Sequence, residues 1–109
     1  MKAAIEFIET SIFTKQIDSI ATDEDITKLQ VDLIQQPEKG DLIQGTGGFR
    51  KVRMALAGKG KSGGVRVIYY YIRHTKIYLV MAYPKSKQDN LSAAEKKQLK
   101  QLAKQLDGE

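Results

Sequence analysis

Lys51 and Arg53 stand two residues apart, with Val52 between them and Met54 following. In an extended strand that spacing sends both cations to one side and the apolar pair into a core, so one face is a binding surface. Arg66 is set differently. It lies near the start of Val65, Arg66, Val67, Ile68, Tyr69, Tyr70, Tyr71, Ile72, a β-branched and aromatic run of the kind that fills a central strand. An arginine there is costly unless it is paired or belongs to a site. No acid adjoins it in sequence, although Asp41 or a distant glutamate could supply a structural partner. Cations so placed hold a polyanion, above all a phosphodiester strand.

The charge distribution supports the same reading. From Leu42 to Gln88 there are ten basic residues and no Asp or Glu, while the remainder holds eight basic and thirteen acidic residues, giving +5 in all. A field segregated in this way attracts phosphates and steers their approach. Other chemistries find little support. Gly60-Lys61-Ser62 copies the end of a phosphate-binding loop, but the glycine required five residues earlier is Ala55, and a strand rather than a helix follows. Gly45-Thr46-Gly47-Gly48 also precedes a strand, so both glycine clusters read as turns needing positive φ. In Gly58-Lys59-Gly60-Lys61 the lysines either meet phosphate or decorate a solvated hairpin, and the sequence favours neither. His74, the one histidine, lies in a predicted turn with no acid beside it, which leaves no metal site and no Ser-His-Asp set. The absence of cysteine removes disulfides and thiolate metal sites and suits a reducing compartment.

The elements that must position these residues follow from periodicity. Residues 3–8 read as a first strand. Thr10 or Ser11 caps a short helix with Ile12, Phe13, Ile17 and Ile20 on one face. Thr22 opens a second helix whose first turn carries Asp23, Glu24 and Asp25, where the helix dipole favours acids, and Pro37 and Gly40 stop it. Three strands follow, around residues 51–56, 65–72 and 77–83, with a hairpin turn at 73–76 and a basic connector at 84–90. Ser92 with Glu95 three residues on is a capping box for a last helix bearing Leu99, Leu102 and Leu106. The order β-α-α-β-β-β-α predicts an α+β fold, an antiparallel sheet with the helices packed on one side, as one domain over residues 1–109. The five tyrosines mostly pack the sheet, with one or two left to reach the open face and stack a base. No apolar run approaches the roughly 20 residues of a membrane span, and acids interrupt the N-terminus early, so a cytoplasmic protein is expected.

The run Ile43-Gln44-Gly45-Thr46-Gly47-Gly48-Phe49-Arg50-Lys51-Val52-Arg53, with Gly63-Gly64-Val65-Arg66-Val67-Ile68-Tyr69-Tyr70, resembles the RelE/HigB superfamily of bacterial type II toxins, most closely its HigB branch. Tyr83-Pro84-Lys85 and residues 91–106 continue the resemblance, which covers nearly the whole chain. It implies the element order already read. It also implies a metal-independent, cofactor-free, ribosome-dependent endoribonuclease that cuts mRNA in the ribosomal A site and is neutralised by a cognate antitoxin. Lys51 and Arg53 fall on two basic strand residues of the family's site, Arg66 on its arginine, and Lys85 near a second arginine that lysine replaces. A tyrosine that some relatives place further on aligns with Leu91, which neither takes a proton nor stacks well, so the resemblance assigns no general base.

Those residues suit the reaction. A 2′-OH attacks the adjacent phosphorus, a base takes its proton, cations hold the charge growing on the phosphorane, and an acid protonates the leaving 5′-oxygen. A positioned cation contributes about 10²–10³ in rate, and acid–base help roughly 10²–10⁴. Lys51, Arg53, Arg66 and Lys85 are thus the expected catalytic set, with Arg50, Lys59, Lys61 and Lys87 gripping RNA. A non-catalytic ribosome or RNA binder with the same basic face, or an inactive toxin acting only through its antitoxin, is the alternative. DNA contact is expected only through the antitoxin.

Overall fold

In the computed structural model, residues 4–56, 64–88 and 90–108 are described. The elements are β1 (Glu6–Glu9), α1 (Ser11–Asp18), α2 (Asp23–Gln35), β2 (Asp41–Leu42), β3 (Arg50–Met54), β4 (Val65–Ile72), β5 (Lys76–Pro84) and α3 (Ala93–Asp107). Local chemistry sets the helix starts. Thr10 accepts from the Phe13 amide, and Thr22 and Ser92 each close a reciprocal capping box, with Asp25 and Glu95 respectively. The β4–β5 hairpin turns on Arg73 and His74, both at positive φ (54° and 61°), which matches the right-handed twist of the flanking strands.

The five strands are ordered β1-β5-β4-β3-β2. The sheet is mixed rather than antiparallel, because β1 runs parallel to β5. This follows from the connection: α1 and α2 carry the chain from β1 across the sheet before β2 and β3, so the first strand is not one leg of a meander. The two-residue β2, pairing Asp41 with Lys51 and Leu42 with Arg50, adds an element that the sequence pattern does not announce.

Helices cover both faces, which corrects the expectation of one-sided packing. Val65, Val67 and Tyr69 of β4 join Phe13 and Ile17 of α1 and Leu29 and Leu33 of α2 in one core. Ile68, Tyr70 and Ile72, the alternate residues, join Leu99, Ala103 and Leu106 of α3 in a second. The physical reason lies in β4 itself, whose nearly uninterrupted apolar run needs cover on both sides. Expected helix faces hold in part: Phe13 and Ile17 are buried, while Ile12 is 60% exposed.

Candidate nucleic-acid interface

The second face changes character along its length. Toward the hairpin, β4 presents Ile72, Tyr70 and Ile68 to α3. The next residue on that face is Arg66, paired in register with Arg53 of β3 and Tyr83 of β5. Lys51, two residues before Arg53, pairs with Ile68. Directly opposed residues of antiparallel strands project to the same side, so Lys51, Arg53 and Arg66 form one patch. All three line a groove of about 880 Å³ that also takes in Asn90 and, from α2, Asp25 and Lys28. The convergence comes from the strands: Val52 and Met54 are drawn into the first core, which fixes Lys51 and Arg53 on the opposite side.

Arg66 is only 4% exposed, and its Nη1 is buried without a hydrogen-bond partner. Among the described residues no ion pair reaches Arg66, Arg53 or Lys51; the pairs found are Lys28–Glu24, Lys39–Asp32 and Arg50–Glu38. The structural alternative for Arg66, a salt bridge to Asp41 or a distant glutamate, is thus not what holds it. A charged donor left unpaired in a groove retains its capacity to bind an anion.

The other expected residues lie elsewhere. Lys85 sits one residue beyond β5 and is exposed; its amide meets the Gly64 carbonyl at 3.4 Å, which brings it to the same end of the sheet as Arg66 without placing it among the groove's lining. Lys87 is exposed in the turn that follows. Lys59 and Lys61 lie outside the described residues. Arg50 departs from the expected RNA grip. It shares its parity with Val52 and so projects to the other face, where Nη1 donates to the carbonyls of Glu38 (3.1 Å) and Gly40 (2.8 Å) and Nη2 pairs with the Glu38 carboxylate at 3.3 Å. It ties the segment after α2 to β3.

The tyrosines pack rather than stack on an open face. Tyr69, Tyr70, Tyr78 and Tyr83 are buried. Tyr69 Oη donates to the Pro37 carbonyl at 2.7 Å and accepts from the Gly40 amide at 2.9 Å. His74 is exposed in its turn, with Nδ1 3.1 Å from the Tyr71 hydroxyl. The first glycine cluster does need positive φ: Gly45, Gly47 and Gly48 all adopt it, and a Cβ on Gly48 would stand 3.1 Å from the Tyr70 ring, while Gly58 and Gly60 of the second cluster lie outside the described residues.

Two features escaped the sequence reading. Asp25 and Asp32 of α2 border the groove, so the patch is not uniformly positive; their helical spacing with Lys28 and Leu29 was the available signal. The second is a set of bonds at the start of α3. Lys51 Nζ donates to Asn90 Oδ1 at 3.4 Å, and Gln88 Nε2 donates both to the Asn90 carbonyl (3.0 Å) and to Glu95 Oε1 (2.8 Å). The Ser92 amide and Gln88 hold the Glu95 carboxyl below its usual range. Among the described residues no group of three or more His, Cys, Asp or Glu could hold a metal ion.

The cation patch thus lies at the rim of a five-stranded sheet that carries two helices on one face and one on the other. The model of the family described as the RelE toxin of the RelE / RelB toxin-antitoxin system matches residues 10–109. The chain belongs to the RelE toxin family. This RelE-family toxin therefore has an antitoxin as its implied partner. No helix among its described residues is long and apolar enough to cross a membrane.

Proposed function

We propose that this toxin, of the HigB-like branch, is a metal-independent endoribonuclease that cuts mRNA on the ribosome in the cytoplasm. The observation that carries the reading is Arg66: a nearly buried guanidinium with an unpartnered nitrogen, in register with Arg53 and lining one groove with Lys51.

In this reading Arg66, Arg53 and Lys51 bind the phosphate that is attacked. The 2′-hydroxyl gives its proton to a base as its oxygen forms a bond to phosphorus, the bond from phosphorus to the 5′-oxygen breaks as that oxygen takes a proton from an acid, and the products are a 2′,3′-cyclic phosphate and a 5′-hydroxyl. The three cations meet negative charge that is greatest in the pentacoordinate state, so they lower the barrier more than they tighten ground-state binding. Lys85 reaches the phosphate from the sheet's end, and Lys59, Lys61 and Lys87 grip RNA. The ribosome supplies much of the alignment, since holding the 2′-oxygen in line with the leaving group is worth many orders of magnitude in effective concentration.

Induced expression followed by primer extension on a reporter mRNA tests the proposal. New 5′ ends within the reading frame are expected from the wild type, and their loss, together with growth arrest, from a folded Arg66→Ala variant. Blocked translation without new ends would replace the nuclease by a non-catalytic ribosome binder. Undiminished cleavage by Arg66→Ala would remove Arg66 from the site.

A further inference from the structure

We infer that Asn90 is a positioning residue for Lys51, and that the Gln88–Glu95 bond at the start of α3 holds Asn90 in place. The inference deepens the nuclease reading and rests on it.

Lys51 and Asn90 are 39 residues apart and both line the groove. Lys51 leaves β3 on a flexible four-carbon stem, and no carboxylate stands within ion-pairing distance of it among the described residues. Its ammonium donates to Asn90 Oδ1. A neutral acceptor restrains the ammonium without cancelling its charge, as an aspartate there would, so the cation stays available to a phosphate. The 3.4 Å separation is at the long end for an N–H···O bond, a guide rather than a lock.

The support for Asn90 goes beyond what a helix start requires. A capping box needs only Ser92 and Glu95, whose amide and side-chain bonds (3.1 and 2.8 Å) are both made. Here the same Glu95 oxygen also accepts from Gln88, and Gln88 in turn clasps the Asn90 carbonyl, so the connector closes on itself just before the helix. Leu91, the next residue, is buried in the second core. Asn90 is itself exposed, and nothing in the core depends on its side chain.

The test is single-turnover cleavage of mRNA on programmed ribosomes by the full chain, comparing wild type, Asn90→Ala, Lys51→Ala and the double variant. Misplacing a catalytic group by about an ångström can cost up to roughly 10²-fold. Asn90→Ala is therefore expected to cleave about 10- to 10²-fold more slowly at saturating toxin, with unchanged half-saturation and thermal midpoint. In the Lys51→Ala background it should add nothing, because its effect passes through Lys51. Asn90→Gln, keeping an amide, should recover part of the rate. Equal slowing by Asn90→Ala with and without Lys51, or no slowing at all, would overturn the positioning role and leave the nuclease site standing. Full activity of Lys51→Ala would instead remove Lys51 from the site and this role with it.

Discussion

On the face that α3 covers, one strand carries two chemistries. Ile72, Tyr70 and Ile68 of β4 lie under Leu99, Ala103 and Leu106, whereas Arg66 lies beyond them beside Arg53. The buried residues of α3 begin at Leu99, so its first turn contributes none of them, and this end of the face opens into the groove. The covered end gains from removing apolar surface from water. The groove end keeps a guanidinium nitrogen out of water without a partner, which works against stability. The same pleat thus yields a stabilising end and a costly one, with only Val67, which faces the other core, between Ile68 and Arg66. A sequence that retains the costly end is answering a demand other than folding.

The comparison breaks most visibly at the covered end. Leu99 is buried between α3 and the sheet, so Leu99→Ala should lower unfolding stability by about 2–5 kcal/mol. Cleavage per folded molecule should stay near wild type. Urea melts and ribosome cleavage assays on the same preparation check both; an intact melting midpoint would mean that α3 does not seal this face.

Arg66→Met sharpens it from the other side. The thioether fills most of the volume, no charge remains to be desolvated, and among the described residues no ion-pair partner of Arg66 is left stranded. Stability should hold or rise, by up to about 1–3 kcal/mol, while cleavage is lost. A clear destabilisation would show that Arg66 holds the fold together and would undo the contrast.

Much of this was legible in the sequence, and the limits have physical causes. The spacing of Ser92 and Glu95 foretold a capping box that the structure forms, and the β-branched run foretold β4. Alternation placed Lys51 and Arg53 opposite Val52 and Met54. The same alternation put Arg50 with Val52, and it does face the other way, toward Glu38 and Gly40; reading it as an RNA contact weighed charge above parity. The side chosen by α3 was also implicit in β4, since a strand apolar at alternate positions of both parities needs two covers. What local patterns do not carry is long-range pairing. The parallel β1–β5 ladder depends on contacts some 70 residues apart, as does the Thr10 hydroxyl bonded to the Val80 carbonyl. The Lys51–Asn90 bond belongs to the same class.

A smaller effect is expected where α3 begins. Ser92 Oγ accepts from the Glu95 amide, and Ser92→Ala should cost about 0.5–2 kcal/mol. Glu95 adds a pH signature: its carboxyl is held below the ordinary range, so its contribution is present above the unfolded value and fades as pH falls through the lower folded one. Acid titration of Glu95→Gln against wild type measures it, and parallel stability curves through the acid range would show that the carboxylate does not hold the cap.

The smallest effect is at the far end of α3, where Tyr70 Oη donates to Asp107 Oδ1 at 2.7 Å and Arg73 reaches the Asp107 carbonyl at 3.0 Å. Burial, then the Asp107 carboxylate, push the Tyr70 hydroxyl up to about 12 from its ordinary 10.0. A raised folded value means that the protonated hydroxyl is the form the fold favours. Its contribution is fully present below the unfolded value and is lost as pH climbs through about 12. Tyr70→Phe removes one hydrogen bond and should cost about 1 kcal/mol near neutrality. The gap between the two proteins should then close in alkali, because the wild type loses what the variant never had. Urea melts across that interval give the answer. A gap that stays constant would mean that the hydroxyl does not latch α3 and that apolar contact alone seats the helix. Cleavage near neutral pH should be untouched in either case, since Tyr70 belongs to the covered end and the reacting phosphate to the other.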